Sequence, residues 1–324
     1  MELPTLDEIE AAAVVVRRHC PPTPQYAWPL LSARAGCEVW VKHENHTPIG
    51  AFKLRGGLYL LERLRAAGPL PPGLVSATRG NHGQSLALAG RIHGLPVTIV
   101  VPHGNSAEKN RAMRAFGAEL IEAGRDFEAA RAIAMDIAAE RGLLMVPPFM
   151  RELVCGVATY ALEFLRGAPP LDVVYVAIGM GSGICGLIAA RDALGLETEI
   201  VGVVAANAPA YALSFAAGEV RETGPVTTLA DGVACRAPSA DALALIRRGV
   251  ARIVTVPEEG ITQAMRAFHA DTHNLAEGAG AIALGGLLAE RGRQRGRRIG
   301  VVLSGGNVDA AVMASILTDA RPDV

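Results

Sequence analysis

The chain has five scattered cysteines, Cys20, Cys37, Cys155, Cys185 and Cys235, but no C-x-x-C pair and no histidine at metal-ligand spacing from them. No zinc site or disulfide framework is expected, and the thiols read as small buried hydrophobes in a reducing compartment. Charge of one sign is equally scarce, with 31 basic side chains against 32 acidic ones and a formal charge of −1. No basic run is longer than RGRQRGRR at 291–298, which reads as a solvated helix end and turn. Neither nucleic acid nor a polybasic membrane surface is therefore an expected partner. The run 173–190 is free of charge, but Gly179, Gly181, Ser182, Gly183 and Gly186 punctuate it, so it reads as strand, glycine loop and helix, not as a membrane span. The N-terminus carries Asp7, Glu8 and Glu10 and lacks the basic and apolar regions of a secretion signal, so a cytoplasmic location is expected. No repeat and no low-complexity tail is found, and no separate effector domain is expected after the last strand.

What is present is a chain of 324 residues, half of them apolar, long enough for one large or two smaller domains without staples. Short apolar runs at 74–76, 97–101, 119–122 and 143–146 alternate with helix-length stretches, as do those at 173–178, 199–204, 253–256 and 299–303. Helical patterns cover 107–116, 127–141, 184–194, 258–272 and 277–291. Ser106 and Asp126 stand as N-caps, with Gly117 and Gly142 past the ends of the helices they open. This βαβα alternation predicts α/β architecture with parallel strands in open sheets and flanking helices. The stretch from Gly68 to Gly73 and the pair Pro147-Pro148 interrupt regular structure. They divide the chain into a large domain, 1–68 with 148–324, and a small mobile domain, 69–147.

Four clusters carry candidate chemistry. In the first, Lys53 follows a Pro48-Ile49-Gly50 turn and Phe52 at the start of a helical pattern. A lysine held away from water there has a lowered pKa suited to a Schiff base with an aldehyde cofactor, and an exposed helix lysine is the alternative. In the second, Thr78-Arg79-Gly80-Asn81-His82 follows a strand and opens a helix, where backbone N–H groups form an anion site. Asn81 as a plain N-cap and His82 as a packed histidine are the alternatives there. In the third, Gly179-Met180-Gly181-Ser182-Gly183 joins a β-rich run to a helix and suits a terminal phosphate dianion. It fails the dinucleotide G-x-G-x-x-G pattern at Ile184. In the fourth, a strand runs into Ser304-Gly305-Gly306-Asn307, placing Ser304 at the carboxyl edge where open α/β sheets bind ligands.

In order, spacing and wording the four clusters resemble the fold-type II pyridoxal-phosphate enzymes, specifically the serine/threonine dehydratase and serine racemase family, from about Pro22 to Asn307. The resemblance implies a tryptophan-synthase-β-like fold, pyridoxal 5'-phosphate as cofactor, a small amino-acid substrate and a homodimer. It makes Lys53 the Schiff-base lysine and catalytic base, and puts Phe52 beside the cofactor ring. It gives Asn81 the ring hydroxyl, Gly179 to Gly183 the phosphate and Ser304 the pyridine nitrogen. Thr78 to His82 become the substrate-carboxylate loop. His82 is a secondary candidate, after the cofactor phosphate, for proton donor to the leaving hydroxyl.

The sequence also departs from that family. Arg79 stands where racemases carry a serine, and a guanidinium is no base, which disfavours racemisation. Val204 and Ala210 occupy the positions of two acidic ligands, so no metal is expected. Met150-Arg151 replaces two acids and Val157-Ala158 a Gln-Gly pair, predicting a more apolar substrate wall. The leading reading is a dehydratase, an ammonia-lyase that eliminates water from a β-hydroxy L-amino acid of threonine or serine type. Arg79 suits 3-hydroxyaspartate, and the apolar wall suits 3-phenylserine. A β-replacement enzyme of cysteine or threonine synthase type and a cofactor-bearing sensor without turnover are the alternatives.

Overall fold

Alternation of buried strands and amphipathic helices organises the computed structural model, which describes residues 1–318. The chain opens with α1 (Leu6–Arg17), β1 (Gln25–Ala27), α2 (Pro29–Ala35), β2 (Glu38–His43) and α3 (Lys53–Ala67). There follow β3 (Leu74–Ala77), α4 (Asn81–His93), β4 (Val97–Val101), α5 (Ala107–Ala115), β5 (Glu119–Glu122), α6 (Phe127–Arg141) and β6 (Leu144–Met145). After the Pro147-Pro148 break come α7 (Arg151–Gly167), β7 (Val173–Ala177), α8 (Ser182–Ala193), β8 (Glu199–Ala205), α9 (Ala210–Ala217) and α10 (Ala240–Gly249). The last described elements are β9 (Arg252–Val256), α11 (Glu258–Thr272), α12 (Gly278–Ala289), β10 (Arg298–Leu303) and α13 (Ala310–Thr318).

The strands form two sheets, one of six in the order β1-β2-β10-β7-β8-β9 and one of four in the order β5-β4-β3-β6. Every pairing is parallel except β1 with β2. Strands covered on both faces must be apolar throughout, and β4 and β10 are valine-rich runs of this kind. The expected N-caps hold: Ser106 Oγ accepts from the Lys109 amide at 3.0 Å, and Asp126 from that of Ala129 at 2.9 Å.

Some expectations shift. The 184–194 helix begins at Ser182, because the glycine loop turns straight into its first turn. The 277–291 helix ends at Ala289, and a short 3₁₀ turn, Arg291–Gln294, follows. The 291–298 run is a largely exposed turn after a helix, as expected, with three residues held by partners. Gln294 is buried on the Tyr175 hydroxyl, and Arg297 and Arg298 pair with Glu199 and Glu38.

Helix α3 packs Leu54, Leu58 and Leu61 into the core under the four-stranded sheet, with Leu74, Leu86 and Ile99. Its first turn is anchored by a buried charge network on the other side. Arg55 bonds Glu44 at 2.7 Å and Glu163 at 2.8 Å, and Lys42 reaches Glu163 at 2.8 Å. Both cations are matched by a carboxylate, which is what makes the burial of charge tolerable. Lys53, two residues from Arg55, thus projects from a turn held by buried ion pairs.

Candidate active site

The carboxyl ends of β3, β7 and β10 converge on one cavity of about 510 Å³, as expected for open α/β sheets. The residues given cofactor, catalytic or carboxylate-loop roles from the sequence line it: Phe52 and Lys53, the loop Thr78 to His82, the loop Gly179 to Gly183, and Ser304.

Lys53 is placed by a tight turn. Thr47 Oγ1 accepts from the Ala51 amide at 2.9 Å and donates to the Ala51 carbonyl at 2.8 Å, and the Phe52 amide donates to Ser304 O at 3.1 Å. Gly50 turns with φ of 71°, and a Cβ there would meet Asn307 Oδ1 at 2.8 Å, so glycine is required. Lys53 Nζ then donates to Ser182 Oγ at 3.1 Å. Burial holds its amine well below the ordinary lysine value of 10.5, at about 8.

Close packing against neighbouring segments requires glycine at two positions of the Gly179–Gly183 loop. Gly181 has φ of 107°, and a Cβ on it would press Ala242 Cβ at 2.7 Å. A Cβ on Gly179 would meet Gly232 O at 2.3 Å. The Met180 and Gly183 carbonyls accept from the Tyr211 and Tyr160 hydroxyls at 3.1 and 3.0 Å. That leaves the unpaired amides of the first turn of α8 as the anion-binding edge. A lysine of lowered pKa beside such a cradle fits an aldehyde cofactor carrying a phosphate. Ser304, just after β10, donates to Ala279 O at 3.2 Å and brings a neutral hydroxyl to the cavity lining.

Asn81 is oriented by its neighbours. Its Nδ2 donates to Glu277 Oε1 at 2.5 Å and its Oδ1 accepts from Asn307 Nδ2 at 2.8 Å. The other Glu277 oxygen takes Lys109 Nζ at 3.0 Å, and Lys109 also reaches Asp231 at 2.7 Å. Burial holds the Glu277 carboxyl above its ordinary value, and the Lys109 ammonium pulls it only part of the way back. With a donor on each oxygen, Glu277 accepts as a carboxylate. Burial also opposes the Lys109 charge, but Glu277 and Asp231 outweigh it and hold Lys109 above ordinary lysine. Lys109, Asp231 and Glu277 were not anticipated from the sequence. One local signal existed: Lys109 sits in the first turn of α5, where the helix dipole favours an acid.

His82 is buried, and its Nε2 has no partner among the described residues. Burial, with the Lys53 charge, lowers it to about 3, so the ring is neutral near pH 7 and has no proton to spare as an acid. Arg79 is exposed at the cavity wall. Two sequence expectations need correction. Met150 packs on the core under the four-stranded sheet, and Val157 lies between α7 and α8 against Gly186. Neither lines the cavity, because the chain turns away at Pro148, so they lend no apolar wall to the substrate. Arg151 points outward and bonds Glu8 at 2.7 Å.

Two parallel α/β sheets that meet at a lysine facing a glycine-rich anion cradle define an aldehyde-cofactor enzyme of the Schiff-base class. Comparison with known proteins gives the family: residues 16–305 match the model described as pyridoxal-phosphate dependent enzyme, and the chain belongs to that family. Its cofactor is pyridoxal phosphate. The chain is 36% identical to the L-threonine ammonia-lyase of Geobacter sulfurreducens over 288 residues, covering 88% of this chain and 71% of that protein. It is 30% identical to the L-threo-3-hydroxyaspartate ammonia-lyase of Pseudomonas sp, covering 98% and 99%. Among solved structures it resembles maize serine racemase, with a TM-score of 0.91, 26% identity and 98% of each chain covered.

Proposed function

We propose that the protein is an ammonia-lyase that removes water from a β-hydroxy L-amino acid, yielding an α-keto acid and ammonia. The observation that carries this reading is Lys53: an amine of lowered pKa, held on Ser182 Oγ at the first turn of α8. Pyridoxal phosphate, when bound, supplies an electron sink for the charge that develops at the substrate α-carbon. Lys53 would hold it covalently, Phe52 would flank the ring, Asn81 would face its hydroxyl and Ser304 its nitrogen. The amides and hydroxyl of Gly179 to Gly183 would bind its phosphate.

In this assignment the loop Thr78 to His82 receives the substrate α-carboxylate on its backbone N–H groups at the start of α4. The Lys53 amine takes the α-proton, half of it being neutral near pH 8, where an ordinary lysine is almost wholly charged. The hydroxyl of Ser304 is neutral and stabilises developing charge less than a cation would, which favours prompt loss of the β-hydroxyl. Loss of one water, return of one and departure of ammonia balance the reaction. Arg79 at the wall offers no base for returning a proton to the other face, which supports elimination over racemisation. The names of the ammonia-lyase relatives support the same reading.

Segment 69–147 is assigned as a small mobile domain that closes over the substrate, and 1–68 with 148–324 as the large one. The holoenzyme is assigned as a cytoplasmic homodimer. No helix among the described residues is long and apolar enough to cross a membrane. The test is release of keto acid and ammonia by the cofactor-loaded protein from L-threonine, L-serine, threo-3-hydroxyaspartate and threo-3-phenylserine. Turnover of at least one is expected. If none reacts, and an added thiol is instead incorporated at the β-carbon, the protein is a replacement enzyme. Binding with neither outcome makes it a sensor.

A further inference from the structure

The acids that line the cavity are already committed. Asp231 and Glu277 share Lys109. Asp126 caps α6 on the Ala129 amide at 2.9 Å, and Glu128 pairs with Arg131 at 3.3 Å. Among the described residues, two guanidiniums on the same cavity have no carboxylate at ion-pair distance, Arg79 and Arg236, although Arg236 is near enough to Asp126 for its charge to help lower that carboxyl. Arg79 makes no side-chain hydrogen bond among the described residues, and the only one made by Arg236 is a long contact from Nε to Thr223 O at 3.5 Å.

Arg236 is partly buried and its backbone is fixed. The Thr223 amide donates to Arg236 O at 2.9 Å, and the turn Asp231–Val233 just before it is clamped by Lys109. A guanidinium withdrawn from water on a fixed segment presents a planar fork suited to a carboxylate. The phosphate and the α-carboxylate have sites of their own in the loops Gly179 to Gly183 and Thr78 to His82. The two arginines answer a third negative group.

We infer that Arg236, with Arg79, forms a second carboxylate site, so that the preferred substrate is a β-hydroxy amino acid bearing an acidic side chain. This rests on the lyase reading of the same cavity, but its test does not require turnover. Cofactor-loaded protein is titrated with L-aspartate and with L-2-aminobutyrate, neither of which has a β-hydroxyl to lose, and the cofactor absorbance reports binding.

L-aspartate is expected to bind at least about 30-fold tighter than L-2-aminobutyrate. Arg236→Met should cut that preference about 30-fold, the scale of removing one partner from a hydrogen-bonded charge pair. Arg236→Lys should recover only part of it, since an ammonium lacks the fork. Arg79→Met, at an exposed position where misfolding is not expected, should lower the same ratio. Equal affinity for the two ligands, or a preference that survives both Met substitutions, overturns the inference. The failures separate cleanly. Threonine turnover with no aspartate preference keeps the lyase and removes the site, whereas an arginine-dependent preference with no keto acid from any substrate keeps the site and removes the lyase.

Discussion

Lys109→Met removes the ammonium that neutralises Glu277 while keeping most of the apolar stem. Glu277 is 3% exposed and then faces only the Asn81 amide, so it must either stay charged without a counter-ion or take a proton. Protonation sets the ceiling on the loss. A carboxyl with an ordinary value of 4.5 is protonated at pH 7 at a cost of about 3 kcal/mol, and at pH 6 of about 2 kcal/mol. The sign follows from proton counting. Burial already holds the Glu277 carboxyl above its ordinary value in the parent, and loss of the ammonium raises it further, so above pH 4.5 the folded variant binds the extra proton and stability falls more steeply as pH rises. The destabilisation relative to the parent should therefore be about 3 kcal/mol at pH 7 and fade toward pH 5. Urea unfolding of the cofactor-loaded proteins at pH 5, 6 and 7 measures it. Adding Glu277→Gln to Lys109→Met should recover most of the loss and flatten the pH dependence. A loss that is the same at pH 5 and pH 7, or below about 1 kcal/mol at pH 7, would refute the reasoning.

Further expectations follow from the same contacts. In the cofactor-free protein the Lys53 amine should react with an amine-acylating reagent with a midpoint near pH 8, and Lys53→Ala should abolish both that reaction site and turnover. A midpoint near 10.5 would place the amine in water. Gly181→Ala forces an L-residue to φ of 107° and drives a Cβ against Ala242. Weaker cofactor binding in a fluorescence titration is expected, together with a stability loss of about 1–3 kcal/mol. Arg55→Leu strands Glu44 and leaves Glu163 with Lys42 alone, and should cost about 3–5 kcal/mol in chemical denaturation, far more than Arg18→Leu at the exposed pair with Glu62.

What could be read from the sequence was local. Strands β3, β4 and β5 and helix α6 lie where apolar period and caps placed them, since Ser106 and Asp126 act on amides three residues away. The glycine loop and the Lys53 turn were legible for the same reason: a phosphate cradle and a tight turn are built from consecutive residues. Strand β2 was not recognised. It ends in Lys42 and His43, which break an apolar run, and Lys42 is buried only because Glu163, 121 residues on, meets it. Its neighbour β10 lies more than 250 residues away. Likewise nothing near Lys109 announces Glu277 or Asp231, and nothing near Arg236 announces that it lines the same cavity as Lys53. The sequence by itself determined which residues have the chemistry and which backbone turns they ride on. Tertiary structure alone decided which charges are paired and which are left facing the cavity, because pairing depends on distances between segments that no local spacing encodes.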